Sequence, residues 1–235
     1  DRTQIFLGDC QTVADAAHAY GFPYEKMVRF PWGVDLDHFS PGNGAPAGKQ
    51  LRRSLGWEDK FVILCNRSWK KIYGVDVLAR AFVRSARINE DIRLLLLGDG
   101  PQTDLIHGIL QPVMDRVHFG GWIDHDQLSG IYCAADLFVS PSHCDGSSIS
   151  LLEALACAVP VVVSDIPSNQ EWVTTGETGQ LFQDGSPEDL SQKLQQMAED
   201  PNLNSYGKSA RRLAEKCAIW DESVQKLLQA YQKAL

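Results

Sequence analysis

Residues 137–163 read LFVSPSHCDGSSISLLEALACAVPVVV. Leu137–Ser140 is a short apolar run and Val159–Val163 is another. Short β-branched and aliphatic runs, closed by turn residues, suit strands buried on both faces. Between them lies a polar loop, Pro141–Ser148, and then Ser150–Cys157, which spaces Leu151, Leu152, Ala154 and Leu155 as one face of a helix. Strand, loop, helix and strand in close succession make a crossover unit, and a crossover joins parallel strands.

The same alternation extends both ways. Upstream, Phe61–Cys65, Arg93–Leu97 and Arg116–Phe119 read as strands, and Gly179–Phe182 reads as one downstream. Gly74–Ile88 puts Val75, Leu78, Ala79, Phe82 and Val83 on one helical face, and Asp126–Ala134 presents Leu128, Ile131 and Tyr132. The pattern predicts an α/β fold, a doubly wound, Rossmann-like parallel sheet. Its end differs: Ser186–Ala198, Leu203–Cys217 and Asp221–Leu235 read as C-terminal helices. The first of them opens with a Ser186 cap, Pro187 and two acids near the positive helix end. At the start, Gln4–Cys10 reads as a strand, Gln11–Tyr20 as a helix and Met27–Pro31 as a strand, followed by a loop, Trp32–Gly48, entering the main domain.

Composition excludes several classes. Of 235 residues, 44% are hydrophobic and 22% charged, so disorder and low-complexity scaffolds are excluded. Apolar runs such as Leu94–Leu97 and Val159–Val163 are far short of the roughly 20 residues of a membrane-spanning helix. A net charge of −8 makes the chain a poor generic nucleic-acid binder. Cys10, Cys65, Cys133, Cys144, Cys157 and Cys217 show neither CxxC pairs nor zinc spacing and read as packed free thiols of a reducing compartment. Asn66-Arg67-Ser68 matches a glycosylation sequon but follows an apolar strand, so it reads as accidental. The chain opens at Asp1 without a methionine, and we expect a piece of something longer.

Open parallel sheets bind ligands at the carboxyl ends of their strands. There the sequence places Asn66–Lys71, Gly98–Pro101, Gly120–Trp122, Ser140–Ser148 and Ser164-Asp165. Asp145-Gly146-Ser147-Ser148 feeding a helix offers free N–H groups and a positive helix end to an anion. Glu153, one turn inside, is a carboxylate for a diol such as ribose. Read blandly, the same residues are an ordinary N-cap at Ser147 and a solvated glutamate. Arg67, Lys70 and Lys71 could neutralise a diphosphate or be a solvated loop. Gly98-Asp99-Gly100-Pro101 lacks the third glycine of a dinucleotide fingerprint. The six histidines show no metal spacing; His143 reads as a loop residue without a chemical role, and Trp122 as core packing, with the wall of a base pocket as its alternative.

Phe30–Pro41, reading FPWGVDLDHFSP, resembles the interdomain linker of GT-B glycosyltransferases, specifically the large family-four (group 1) retaining enzymes. Asp145–Glu153 resembles that family's two acids separated by seven residues, Glu153–Val162 continues the motif, and Gly98–Pro101 and Val117–Gly121 match the family's usual strand ends. The resemblance runs from about Gln4 to Leu235. It implies that 1–41 are the end of an acceptor domain and the interdomain linker, and that 42–235 are the nucleotide-sugar-binding, C-terminal GT-B domain. It also implies that Trp220–Leu235 crosses back to the first domain.

Carried over by motif, the resemblance implies that Arg67 and a lysine, Lys71 over Lys70, hold the donor diphosphate. Asp145 would meet hydroxyls of the donor sugar, and the N–H groups of Gly146, Ser147, Ser148 and Ile149 would hold sugar and phosphate oxygens. Glu153 would bind the ribose, and backbone from Gly121 to Ile123 the base. Three departures stand out: Asp145 replaces a usual Glu, Ala158 a usual Gly as a packing change, and the spacing from Arg67 to the lysine is one residue longer.

The expected function is therefore transfer of a hexosyl group from a UDP- or GDP-sugar to an unknown acceptor, with retention, without a cofactor and without a metal site. A nucleotide-sugar epimerase and a non-catalytic nucleotide-sugar-binding module are the alternatives. The chain alone is expected to be inactive, its acceptor domain being largely missing. The expected location is the cytoplasm, with any peripheral membrane contact made through the missing domain.

Overall fold

The computed structural model describes residues 3–234. The main sheet contains β3 (Phe61–Cys65), β4 (Ile92–Leu97), β5 (Val117–Gly121), β6 (Leu137–Ser140), β7 (Val161–Ser164) and β8 (Gly179–Phe182). All pairings are parallel, in the order β5-β4-β3-β6-β7-β8. Strand β1 (Phe6–Gly8) and strand β2 (Met27–Arg29) pair separately, also in parallel, around α1 (Gln11–Ala19).

Alternation along the strands sends side chains to two cores. On one face Val62, Leu64, Leu95 and Leu97 meet Leu151, Leu152 and Leu155 of α6 (Ile149–Ala156) and Ala210 and Ala214 of α9 (Leu203–Cys217). On the other, Ile63, Cys65, Leu94 and Leu96 meet α3 (Val75–Ala86), α4 (Thr103–Leu110) and α8 (Pro187–Glu199). Helices on both faces of a parallel sheet make the doubly wound fold that the sequence pattern predicts. From β3 the chain winds outward through β4 and β5, then returns to β6 on the other side of β3. The switch point therefore lies between β3 and β6, and their carboxyl ends open a crevice there.

Four readings of the sequence need correction. Trp32–Gly48 is not loop throughout: α2 (Pro41–Leu55) begins at Pro41, and Ser40 Oγ accepts from the Asn43 amide. Its Gly44 and Gly48 are contact points, because a Cβ at Gly48 would lie 2.7 Å from the Cys133 carbonyl carbon on α5 (His125–Cys133). Tertiary packing thus overrides the poor helix propensity of glycine. Helix α4 and the short α7 (Pro167–Gln170) escape the sequence reading. Ala158 adopts φ of 58°, so its departure from glycine bears on backbone conformation rather than packing alone. Cys144 and Cys217 are exposed, whereas Cys10, Cys65 and Cys157 are packed.

The last helix, α10, covers Trp220–Ala234; Leu235 lies outside the described residues. The linker meets the segment just before it, for the Val34 amide donates to the Ala218 carbonyl at 2.9 Å. No helix among the described residues is long and apolar enough to cross a membrane.

Candidate functional site

Two adjoining cavities follow the carboxyl edge of the sheet. One, of about 500 Å³, lies at the switch point and is lined by Arg67, Asp145, the loop Gly146–Ser148, Glu153 and Asp9 among others. The second, of about 510 Å³, lies over β4 and β5 and is lined by Gly98, Asp99, Gly121, Trp122 and Ile123 among others. Asn66 and Ser68 border both.

Arg67 leaves the end of β3 and is the hub of the first cavity. Its Nη2 donates to Asp145 Oδ2 at 2.5 Å, and Nη1 donates to Ser148 Oγ at 3.0 Å and Ser150 Oγ at 2.9 Å. The Tyr73 ring lies under the guanidinium, 4.4 Å from its carbon to the ring centroid. Burial pushes the Asp145 carboxyl up, while Arg67 and the Gly146 amide pull it back down. The pair is thus preformed but held by its own charges, and a phosphate would compete for the same guanidinium.

Helix α6 starts at Ile149 with Ser148 as N-cap, and no side chain caps it. The bland reading of Ser147 as N-cap therefore fails. Ser147 belongs instead to a seam with the N-terminal segment: its amide donates to Asp9 Oδ2 at 3.1 Å and its Oγ to the Asp9 carbonyl at 2.7 Å. The seam is reciprocal, because Glu171 Oε1 accepts from the Gln11 amide at 2.8 Å at the start of α1. Each segment places a carboxylate on the helix N-terminus of the other, where the macrodipole favours negative charge.

Glu153 is not solvated. It is 5% exposed, and burial pushes its carboxyl up to about 7, opposed by the hydrogen bond from Tyr132 and the charge of His38. Ile149, four residues earlier, stays half exposed at the rim.

The structure brings Arg67, Asp145, Gly146, Ser147, Ser148, Ile149 and Glu153 to the first cavity and Gly121 and Ile123 to the second. It does not bring in Lys71. Lys71 opens a turn, Lys71–Tyr73, that points Tyr73 inward, and both Lys70 and Lys71 are exposed outside the lining. Trp122 is 89% exposed and forms a wall of the second cavity, so the core-packing reading fails. His143 pairs with Asp184, Nδ1 to Oδ1 at 2.7 Å, at the surface.

Sequence reasoning missed Asp9, Tyr73 and the polar role of Tyr132. Asp9 lies far away in the chain, and Tyr132 sits on the apolar face of a helix, so neither spacing nor periodicity marks it. An acid at the end of a strand and before a helix was the available signal for Asp9.

The chain is 28% identical to a GDP-mannose-dependent monoacylated alpha-(1-6)-phosphatidylinositol monomannoside mannosyltransferase of Corynebacterium glutamicum, over 76% of this chain and 48% of the relative. It is 28% identical to the D-inositol 3-phosphate glycosyltransferase of Segniliparus rotundus, over 95% of this chain and 51% of the relative. The chain thus spans about half the length of the curated relatives it matches. In fold it is similar to Anabaena HepE in complex with UDP, with a TM-score of 0.88 at 20% identity over 97% of this chain and 64% of that one. It is also similar to sucrose-phosphate synthase of Thermosynechococcus elongatus, with a TM-score of 0.85 at 26% identity over 97% of this chain and 57% of that one. The family described as Glycosyl transferases group 1 matches residues 59–200, and the chain belongs to that family.

Proposed function

We propose that this chain is the donor-binding part of a glycosyltransferase that passes a hexosyl group from a nucleotide-diphosphate sugar to an acceptor. One observation carries the reading: Arg67, Asp145, the uncapped start of α6 and buried Glu153 converge on one cavity at the switch point. A diphosphate needs cations and N–H donors, and a ribose needs a carboxylate that can accept from two hydroxyls. Asp145 would meet the donor sugar. The second cavity, with the backbone of Gly121–Ile123 and exposed Trp122, has the size and apolar wall for a base. The relatives' names include a GDP-mannose-dependent enzyme and a UDP complex, so uridine and guanosine are the bases to test.

In this reading transfer proceeds with retention and without a resident cofactor or metal. Negative charge grows on the diphosphate as the glycosidic bond breaks. The Arg67 fork and the N–H groups of Ser148 and Ile149 meet that charge, once Asp145 releases Arg67 to the phosphate. Lys71 would act only after its turn swings inward. Residues 1–41 would close an acceptor domain that the relatives' greater length accommodates, with 42–235 as the donor domain. The site of action we favour is the cytoplasm.

Calorimetry of the chain with UDP, GDP and ADP tests this. Binding of UDP or GDP, weakened by Glu153→Gln, is the expected result. Failure of all three nucleotides to bind would sink the reading, and sugar transfer by the chain alone would overturn its dependence on an acceptor domain.

A further inference from the structure

Glu153 is held by one side chain, Tyr132, which Asn66 holds in turn. Glu153 projects from α6 into the first cavity, yet it is almost fully enclosed. Tyr132 comes from α5 and is 0% exposed. Its hydroxyl donates to Glu153 Oε2 at 2.7 Å. Asn66, at the end of β3, donates from Nδ2 to that hydroxyl at 2.7 Å. The phenol ring is fixed by Phe39 of the linker and Phe138 of β6, at centroid distances of 6.0 and 5.7 Å.

A phenol has one proton and accepts on the same oxygen. The Ser150 carbonyl lies 3.0 Å from the Tyr132 hydroxyl and competes with Glu153 for that proton. An ionised Glu153 wins it, because a charge-assisted hydrogen bond is stronger than a neutral one. The bond from Asn66 occupies a lone pair of the phenol oxygen and polarises its O–H toward the carboxylate. Among the described residues Tyr132 is the hydrogen-bond donor to this carboxylate, which leaves Oε1 for an incoming diol.

We propose that Tyr132, oriented by Asn66, is a positioning residue that aims the Glu153 carboxylate at the cleft and holds it in the ionised form that accepts the ribose hydroxyls. This rests on the reading of Glu153 as the diol acceptor. The relay starts one residue before Arg67 and borders both cavities, so the ribose acceptor and the phosphate arginine share one support.

Electrostatics supports the assignment. Burial pushes Glu153 up to about 7, and the Tyr132 bond is the first effect opposing it. The charge of His38 from the linker also acts on it, Glu153 in turn acts on the Cys157 thiol just beyond α6, and Arg67 faces the same cavity. Burial and the adjacent carboxylate push the Tyr132 phenol well up, so it stays a proton donor at neutral pH. Losing its hydroxyl would let Glu153 protonate at still higher pH.

The test is calorimetric binding of UDP and GDP to the 235-residue chain between about pH 6 and 9, for wild type, Tyr132→Phe, Asn66→Ala and Glu153→Gln. Wild-type affinity should fall as pH drops through about 7. Tyr132→Phe should bind about tenfold more weakly at neutral pH and recover in alkali, its midpoint raised by about one unit. Asn66→Ala should move the midpoint the same way by less, and stands in if Tyr132→Phe fails to fold. Glu153→Gln should bind weakly with no midpoint. A lowered melting temperature with an unmoved midpoint in the tyrosine and asparagine variants refutes the positioning role. Wild-type affinity in Glu153→Gln refutes instead the diol reading beneath it, as would failure of the wild type to bind either nucleotide.

Discussion

Replacing Asp9 with alanine should tighten binding of a nucleoside diphosphate while loosening the fold. The Asp9 carboxylate accepts from the Ser147 amide at 3.1 Å, and a Cβ on Gly146 would collide with it. It therefore occupies the Ser147 N–H, one of the loop donors proposed for the sugar and phosphate oxygens, and crowds the loop beside it. A hydrogen bond to a charged group contributes roughly 1.5–3 kcal/mol net, and a ligand must displace it. Some of that is recovered when the displaced carboxylate meets water, so we expect a gain of about 1.4 kcal/mol, about tenfold in Kd. Repulsion adds to the same sign: two unit charges about 5 Å apart at an effective dielectric constant of about 20 repel by about 3 kcal/mol before screening. Asp9→Asn, which keeps an acceptor but loses the charge, should fall between wild type and Asp9→Ala. The melting temperature should move the other way, because the seam loses that bond and keeps the one from Ser147 Oγ to the residue 9 carbonyl, the Glu171 cap on α1 and the Arg29–Glu171 ion pair. Calorimetry with UDP and GDP at about 0.15 M salt, paired with thermal unfolding, reads both signs. Equal or weaker binding in Asp9→Ala would show that Asp9 and the donor do not contest the loop.

Other outcomes follow from the same geometry. Glu153 is pushed up from 4.5 to about 7 in the folded chain, so the folded state holds its proton more tightly than the unfolded one. Its contribution is full below about pH 4.5 and is lost as pH rises through about 7, on the order of 3 kcal/mol across that window. Thermal unfolding of ligand-free wild type should thus fall with pH across that window relative to Glu153→Gln; parallel profiles would refute it. Arg67→Ala, in the whole protein at saturating donor, should lower kcat on the order of 10²–10³-fold, as loss of one donor to a developing charge does; near-normal turnover would make Arg67 a structural residue only. Ala158→Gly should stabilise the chain by up to about 1 kcal/mol in chemical denaturation, since Ala158 sits at φ of 58°. Gly48→Leu should destabilise it by more than that, because the Cys133 backbone on α5 cannot yield to a side chain.

Local pattern was enough for the sheet. Phe61–Cys65 and Leu137–Ser140 match the observed strands residue for residue, because a strand buried on both faces is apolar along nearly all its length. Loop chemistry at strand ends likewise marked Arg67, Asp145 and Glu153, since an open α/β sheet presents ligands to those ends whatever the sequence between them. Tertiary structure decided what depended on partners distant in the chain. Glycine-rich Pro41–Leu55 becomes helix because α5 accepts its small face. Lys71 stays outside because a turn favours Tyr73 against Arg67. The positions of Asp9 on Ser147 and of Tyr132 on Glu153 depend on contacts 138 and 21 residues apart, which no helical or strand period encodes. Whether a carboxylate is solvated or enclosed is likewise set by the atoms packed around it, and burial rather than spacing turns Glu153 from a surface charge into a site group.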